Sequence, residues 1–175
     1  MSGFFSAFES CVIPEGSQTK RGDIGFHFGN KRQAQTRVGK RGTVGSYYLN
    51  ITNPWIVTTD FGSWEGDYIA SRFLNGYSYS DEPYNVYKSE GDIDRLKQIA
   101  KMPTTKANQE FKRLLIDKGY DGVRYENHHE GSGYSYIAFR PEQIKSTSNL
   151  FPTDESDFRA SLMQLEDGTD RKSVV

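Results

Sequence analysis

Apolar residues near the N-terminus stand at Phe4, Phe5 and Phe8, and the chain then becomes loop-like through Pro14-Glu15-Gly16-Ser17. Asp23–Phe28 (DIGFHF) reads as a short strand bounded by glycines, and Val44–Ile51 (VGSYYLNI) as a second. Asn53-Pro54 stops that second run, because proline cannot donate to a sheet ladder. Between the two strands, Lys31–Arg37 reads as a short, very polar helix. A helical section follows. Glu65–Asn75 carries Tyr68, Ile69, Phe73 and Leu74 on a wide apolar face, and Ile93, Leu96, Ile99 and Ala100 mark another helix led by Asp92. In the third helix Ala107, Phe111, Leu114 and Leu115 fall at i, i+4, i+7 and i+8, with Thr104 or Thr105 as cap candidates and Gly119 as a stop. Gly122–Glu126 and Ser135–Arg140 then read as two strands joined by a glycine-bearing loop. Side-chain alternation sets Tyr136 and Ala138 against Ser135, Ile137 and Phe139.

Short strands thus flank a helical middle section, a pattern compatible with an α+β domain over residues 1–146, and a polar, weakly held tail follows over 147–175. Only 35% of the chain is apolar while 14% is aromatic, so much of the core must come from Phe and Tyr. Seventeen glycines argue for many turns and against a helical bundle. Cys11 stands alone, which excludes an intramolecular disulfide and a cysteine metal cluster. No apolar run approaches transmembrane length and no signal-like start is present, so a soluble protein of a reducing cytoplasm is expected.

The formal net charge of −1 makes the whole chain no obvious nucleic-acid binder. From Lys20 to Arg41, however, seven basic residues stand against Asp23 alone. Such a segment either holds phosphates or an acidic partner, or is a solvated surface. The loop HHEGSG (His128–Gly133) invites a metal reading, but HHE does not match H-E-x-x-H and adjacent histidines on a strand point to opposite faces. No G-x-S-x-G elbow, Walker A or dinucleotide G-x-G-x-x-G motif occurs, and Gly131-Ser132-Gly133 reads as a flexible turn.

Five segments occur together and in order: GFHFGNKRQAQTR (Gly25–Arg37), YYLNITNP (Tyr47–Pro54), DFGSWEGDYIASRFL (Asp60–Leu74), Gly119–Phe139 with its EG.G.SYIAF ending, and RPEQIKS (Arg140–Ser146). The set resembles the ADP-ribosyltransferase-like domains of phage and mobile-element polyvalent proteins over roughly residues 4 to 150. The resemblance implies a split, twisted antiparallel β core with inserted helices that grips NAD as a substrate, without a metal. It implies cleavage of the nicotinamide–ribose bond and transfer of ADP-ribose to a host macromolecule.

By the same resemblance, Gly25–Gly29 matches the family's second motif and sets His27 where a stacking tyrosine usually stands. The family's third-motif glutamate falls on Ser135, which turns attention to Glu130 and then Glu126 as the carboxylate. Phe28, Gly29 and Tyr48 would complete the cleft with Ser135, and Arg21, Lys31 or Arg37 would meet the pyrophosphate. The family's first-motif histidine is expected just before the segment resembled by MSGFFSAFE. Its absence, with Ser135, motivates the alternative of a degenerate fold that binds a protein or nucleotide without chemistry. A nucleic-acid partner through the basic segment is a third, weaker reading.

Overall fold

In the computed structural model, residues 5–11, 23–39, 44–58, 60–75 and 89–147 are described. In chain order they form β1 (Phe5–Cys11), β2 (Phe26–Phe28), α1 (Lys31–Val38), β3 (Gly45–Leu49), β4 (Pro54–Val57) and α2 (Gly66–Leu74). Then come α3 (Glu90–Ile99), α4 (Thr104–Asp117), β5 (Gly122–Glu126), β6 (Tyr134–Ala138) and β7 (Ile144–Ser146). The expected tail lies outside the described residues.

The strands lie in the order β4-β5-β6-β2-β1-β3-β7. Neighbours are antiparallel except β4 and β5, which run parallel with Trp55 opposite Val123 and Val57 opposite Tyr125. Two strands can run parallel only when a long crossover returns the chain to the same end. Here that crossover contains α2, α3 and α4, the helical section seen in the sequence. The α+β class is therefore as expected, with one parallel pair that its helices make necessary. The split is visible too. β1 meets β2 at the single pair Cys11–Phe28, so a four-strand ladder and a three-strand ladder share one narrow junction.

Three strands go beyond the sequence pattern: β1, β4 and the short β7, which pairs with β3. Pro54, which the sequence pattern marks as a stop, opens β4, an edge strand of the sheet among the described residues. Proline is tolerated at the first residue of such a strand because no ladder hydrogen bond is lost. The N-terminal strand β1 was seen only as scattered apolar residues, and it lies between β2 and β3.

α2, α3 and α4 cover one face of the β4-β5-β6-β2 ladder, where Trp55, Phe61, Phe73, Phe111, Leu114, Val123 and Ile137 form the main core. The aromatic share anticipated from composition is concentrated there: Trp55 lies 6.1 Å from both Phe61 and Phe111, centroid to centroid. On the opposite face Phe28, Leu49 and Ala138 form a smaller cluster, against which Tyr47 and Tyr136 pack. α2 and α4 approach closely at Gly66, where a Cβ would run into the Ala107 carbonyl. The Gly66 N–H donates to Asn108 Oδ1 at 2.6 Å there. Thr104 does not cap α4 as proposed. The N-cap position is Pro103, and the Thr104 hydroxyl instead donates to Asp67 Oδ2 at 3.1 Å, tying α4 to α2. Gly119 does end α4, with φ +89°. No helix among the described residues is long and apolar enough to cross a membrane.

One buried amide joins the two ladders behind the sheet. Gln143 Oε1 accepts from the Phe139 and Arg140 N–H groups at 3.0 and 2.9 Å, and its Nε2 donates to the Asn50 and Asp121 carbonyls at 3.1 and 2.7 Å. Replacement by glutamate keeps the acceptor and loses both donors. We expect Gln143→Glu and Gln143→Ala each to cost about 2–4 kcal/mol, because buried backbone groups lose their partners. Urea unfolding measures this, and a loss below about 1 kcal/mol would show the staple to be dispensable.

Candidate active site

β2 sorts its side chains by alternation. Phe28 goes to the small cluster, while His27 turns to the helix-covered face, between Trp64 (centroids 6.4 Å apart) and Tyr125 (6.2 Å). The chain then enters α1 through a capping box. Asn30 Oδ1 accepts from the Gln33 N–H, and Gln33 Oε1 accepts from the Asn30 N–H. This fixes the phase of α1, and residues four apart share a helix face, so Gln33 and Arg37 point the same way. They face the loop between β5 and β6.

That loop is held by three side-chain amides, one of them Asn30, whose Nδ2 donates to the Ser132 carbonyl at 3.3 Å. Gln33 Nε2 lies 3.3–3.4 Å from the carbonyls of Gly131, Ser132 and Gly133. Gly131 and Gly133 have φ of +140° and +115°, which explains the G-S-G spacing as a turn that needs glycine. From the other side Asn127 Oδ1 accepts from the N–H groups of His129 and Glu130, both at 3.0 Å, an Asx turn that aims Glu130 back toward the sheet. Asn127 Nδ2 donates to Glu130 Oε2 at 2.6 Å and to Ser135 Oγ at 2.9 Å.

The polar contacts close into a ring. Glu130 Oε1 meets Arg37 Nη1 at 3.2 Å, and Arg37 Nη2 meets Asp23 Oδ2 at 3.1 Å. Asp23 Oδ2 lies 3.0 Å from His27 Nε2, a close polar contact that does not meet hydrogen-bond geometry. His27 Nδ1 lies 3.3 Å from the Tyr125 hydroxyl, and Tyr125 stands directly opposite Ser135 in the β5–β6 ladder. Ser135 donates to Gln33 Oε1 at 3.3 Å and receives Asn127, so the ring returns to Glu130.

The ring borders a small, open cleft lined by His27, Phe28, Gly29, Gln33, Ala34, Arg37, Tyr125, Asn127, Glu130 and Ser135. Burial pushes the Tyr125 hydroxyl well above the ordinary tyrosine range. The charges of Asp60 and Glu130 add to this, and the Ser135 hydroxyl and Arg37 only partly offset it, so it stays an O–H donor. For Asp23, burial alone would raise the carboxyl, but His27 and Arg37 outweigh it and hold it below the usual aspartate value.

Six of the residues proposed from sequence therefore meet at one cleft: His27, Phe28, Gly29, Arg37, Glu130 and Ser135. Glu126 does not. Its neighbour Tyr125 lines the cleft, so alternation sends Glu126 to the other face, opposite Tyr134 and exposed. Tyr48 also stays away. Tyr47 packs edge-on against Phe28 at 6.0 Å, and Tyr48 is exposed and outside the lining. Lys31 is exposed in the first turn of α1 and does not line the cleft, and Arg21 lies outside the described residues. His128 and His129 are exposed loop residues. Among the described residues no group of three or more His, Cys, Asp or Glu is arranged to hold a metal ion.

Sequence reasoning missed Asp23, Gln33, Asn127 and the cleft-facing hydroxyl of Tyr125. The first two amides did leave signals, in the N-x-x-Q capping box at Asn30–Gln33 and in the N-x-x-E Asx pattern at Asn127–Glu130.

A family model described as ADP-ribosyltransferase in polyvalent proteins matches residues 4–153. The chain belongs to that family. No curated protein and no solved structure matched it. ADP-ribosyltransferases use NAD as a substrate. Gly29 borders the cleft, where a Cβ would run into the packed Gln33 side chain and crowd Ser135 Oγ. Two rings, a carboxylate and one guanidinium around that space suit an aromatic amide joined to a charged sugar.

The Asp23 position predicts a pH dependence with a definite sign. An unfolded aspartate titrates near 3.8 and the folded one lower, so the stabilisation is complete above that value and is lost as pH falls through the folded value. Urea midpoints measured from about pH 6 to about pH 2 should fall more steeply for the wild type than for Asp23→Asn. Parallel acid limbs would show that the His27 and Arg37 contacts do not act on Asp23.

Proposed function

We propose that the chain is an NAD-dependent mono-ADP-ribosyltransferase that modifies a host protein. In this reading it is encoded by a phage or mobile element and acts in the host cytoplasm against host defence or host machinery. The observation that supports it most is the bridge Glu130–Asn127–Ser135. The strand position that the family resemblance would give to a glutamate holds Ser135, and Asn127 links that hydroxyl to the carboxylate of Glu130. A loop residue thereby supplies the missing charge at the same cleft.

The work expected of each residue follows from its place. The rings of His27 and Tyr125 border the space for the nicotinamide, and the backbone at Gly29 is close enough to grip its amide. As the nicotinamide–ribose bond lengthens, positive charge develops on the sugar, and the Glu130 carboxylate stabilises it or accepts from its hydroxyl. Asn127 keeps that carboxylate oriented, and the Tyr125 hydroxyl remains protonated as a fixed donor. Arg37 faces the phosphates.

One observation favours a second reading. Both Glu130 oxygens are engaged, by Arg37 and by Asn127, and a carboxylate so occupied suits a module that binds a nucleotide without cleaving it. A single assay separates the two. Incubation with NAD and host lysate should release nicotinamide and label a host protein, and Glu130→Gln should lower that rate by about 10²-fold or more while leaving the melting temperature within a few degrees. A thermal shift by NAD without nicotinamide release would support the binding module, and neither effect would sink both readings.

A further inference from the structure

Arg37, in the last turn of α1, is the one lysine or arginine among the described residues that line the cleft. Its guanidinium is already shared between two carboxylates, with Nη1 on Glu130 Oε1 at 3.2 Å and Nη2 on Asp23 Oδ2 at 3.1 Å. Both bridges are partly exposed, the side chains of Arg37, Asp23 and Glu130 being 38%, 27% and 20% accessible. Glu130 lines the cleft beside Arg37, and Asp23 stands behind it. Partly exposed bridges of this kind are screened by water and salt and are weak. A pyrophosphate is a stronger partner, because it offers two anionic groups that a planar fork can grip at once.

We infer that Arg37 is the anion-recognition residue of the cleft and works by exchange: it holds Asp23 and Glu130 at rest and gives up both to take the pyrophosphate of a dinucleotide. The inference rests on the NAD reading above and specifies how that substrate is received. If Arg37 stayed on its carboxylates, the arriving phosphates would meet two negative side chains whose only cleft-lining cation among the described residues was already neutralised. Exchange removes that conflict and has a consequence for Glu130. Oε2 remains on Asn127 Nδ2 at 2.6 Å, while Oε1 loses its partner and opens to the cleft. The event that seats the phosphates thus frees the oxygen that faces the sugar. It also explains how a doubly bonded carboxylate can belong to a catalytic cleft. The other described basic residues of α1, Lys31 and Arg32, are exposed in its first turn and do not line the cleft.

Calorimetric titration of the full chain with two probes tests this: ADP-ribose, which carries the pyrophosphate, and nicotinamide, which carries no phosphate. Arg37→Met should weaken ADP-ribose binding about 10- to 100-fold and leave nicotinamide within about twofold. Arg37→Lys, which keeps the charge and loses the fork, should fall between wild type and Arg37→Met. Asp23→Asn removes a competing acceptor and should tighten ADP-ribose binding by about threefold. Unchanged ADP-ribose affinity in Arg37→Met, or no tightening in Asp23→Asn, overturns the exchange while nicotinamide release from NAD still upholds the enzyme reading. A wild-type chain that neither binds ADP-ribose nor releases nicotinamide overturns both. If Arg37→Met does not fold, Arg37→Lys and Asp23→Asn decide the matter.

Discussion

The site depends on one buried side-chain amide, that of Asn127. It is 2% exposed, and its two ends do different work. The carbonyl end folds the loop by accepting from two successive backbone N–H groups, and the amino end ties Glu130 to Ser135. Asparagine alone combines these tasks in so short a side chain: aspartate has no donor, and glutamine is too long for the Asx turn. Without that amide, the carboxylate at position 130 has no fixed relation to the strand that carries Ser135.

The charges around the cleft are balanced closely, and that balance gives the ring its character. Asp23 and Glu130 share one guanidinium, and Asp60 adds a third negative charge that is felt at Tyr125. Burial and these carboxylates act on the tyrosine in the same direction, whereas at Asp23 burial and the cationic contacts oppose each other. The result is a site with one protonated hydroxyl donor and two carboxylates held by a single, partly exposed guanidinium. A site built this way is sensitive to any anion that competes for the guanidinium.

The scaffold explains why the ring can form from distant segments. β2 pairs with β6 so that His27 stands opposite Ile137, while β5 pairs with β6 so that Tyr125 stands opposite Ser135. Both antiparallel registers place cleft residues on the helix-covered face, beyond the edge of the main core. α1 leaves β2 within two residues and turns back over the β5–β6 loop, which brings Gln33 against residues about a hundred positions away. The helices of the crossover supply the hydrophobic mass on that face, so polar groups can gather at its margin without weakening the core.

Local pattern determined a good deal by itself. Alternation in SYIAF assigned the two faces of β6, helical spacing found α2, α3 and α4, and the glycines at 119, 131 and 133 marked turns that do require positive φ. Ordered motifs identified the family and drew attention to His27, Arg37, Glu130 and Ser135. Tertiary structure decided the rest, because its causes are not local. Whether Glu126 or Glu130 faces the cleft depends on the strand phase set by pairing with β6, and Tyr48 is excluded by the packing of Tyr47 on Phe28. β4 becomes a strand only because β5 lies parallel beside it after the crossover. Asp23, Gln33 and Asn127 carry ordinary polar side chains, and they become parts of one ring only when two loops and a helix terminus converge on the same few ångströms.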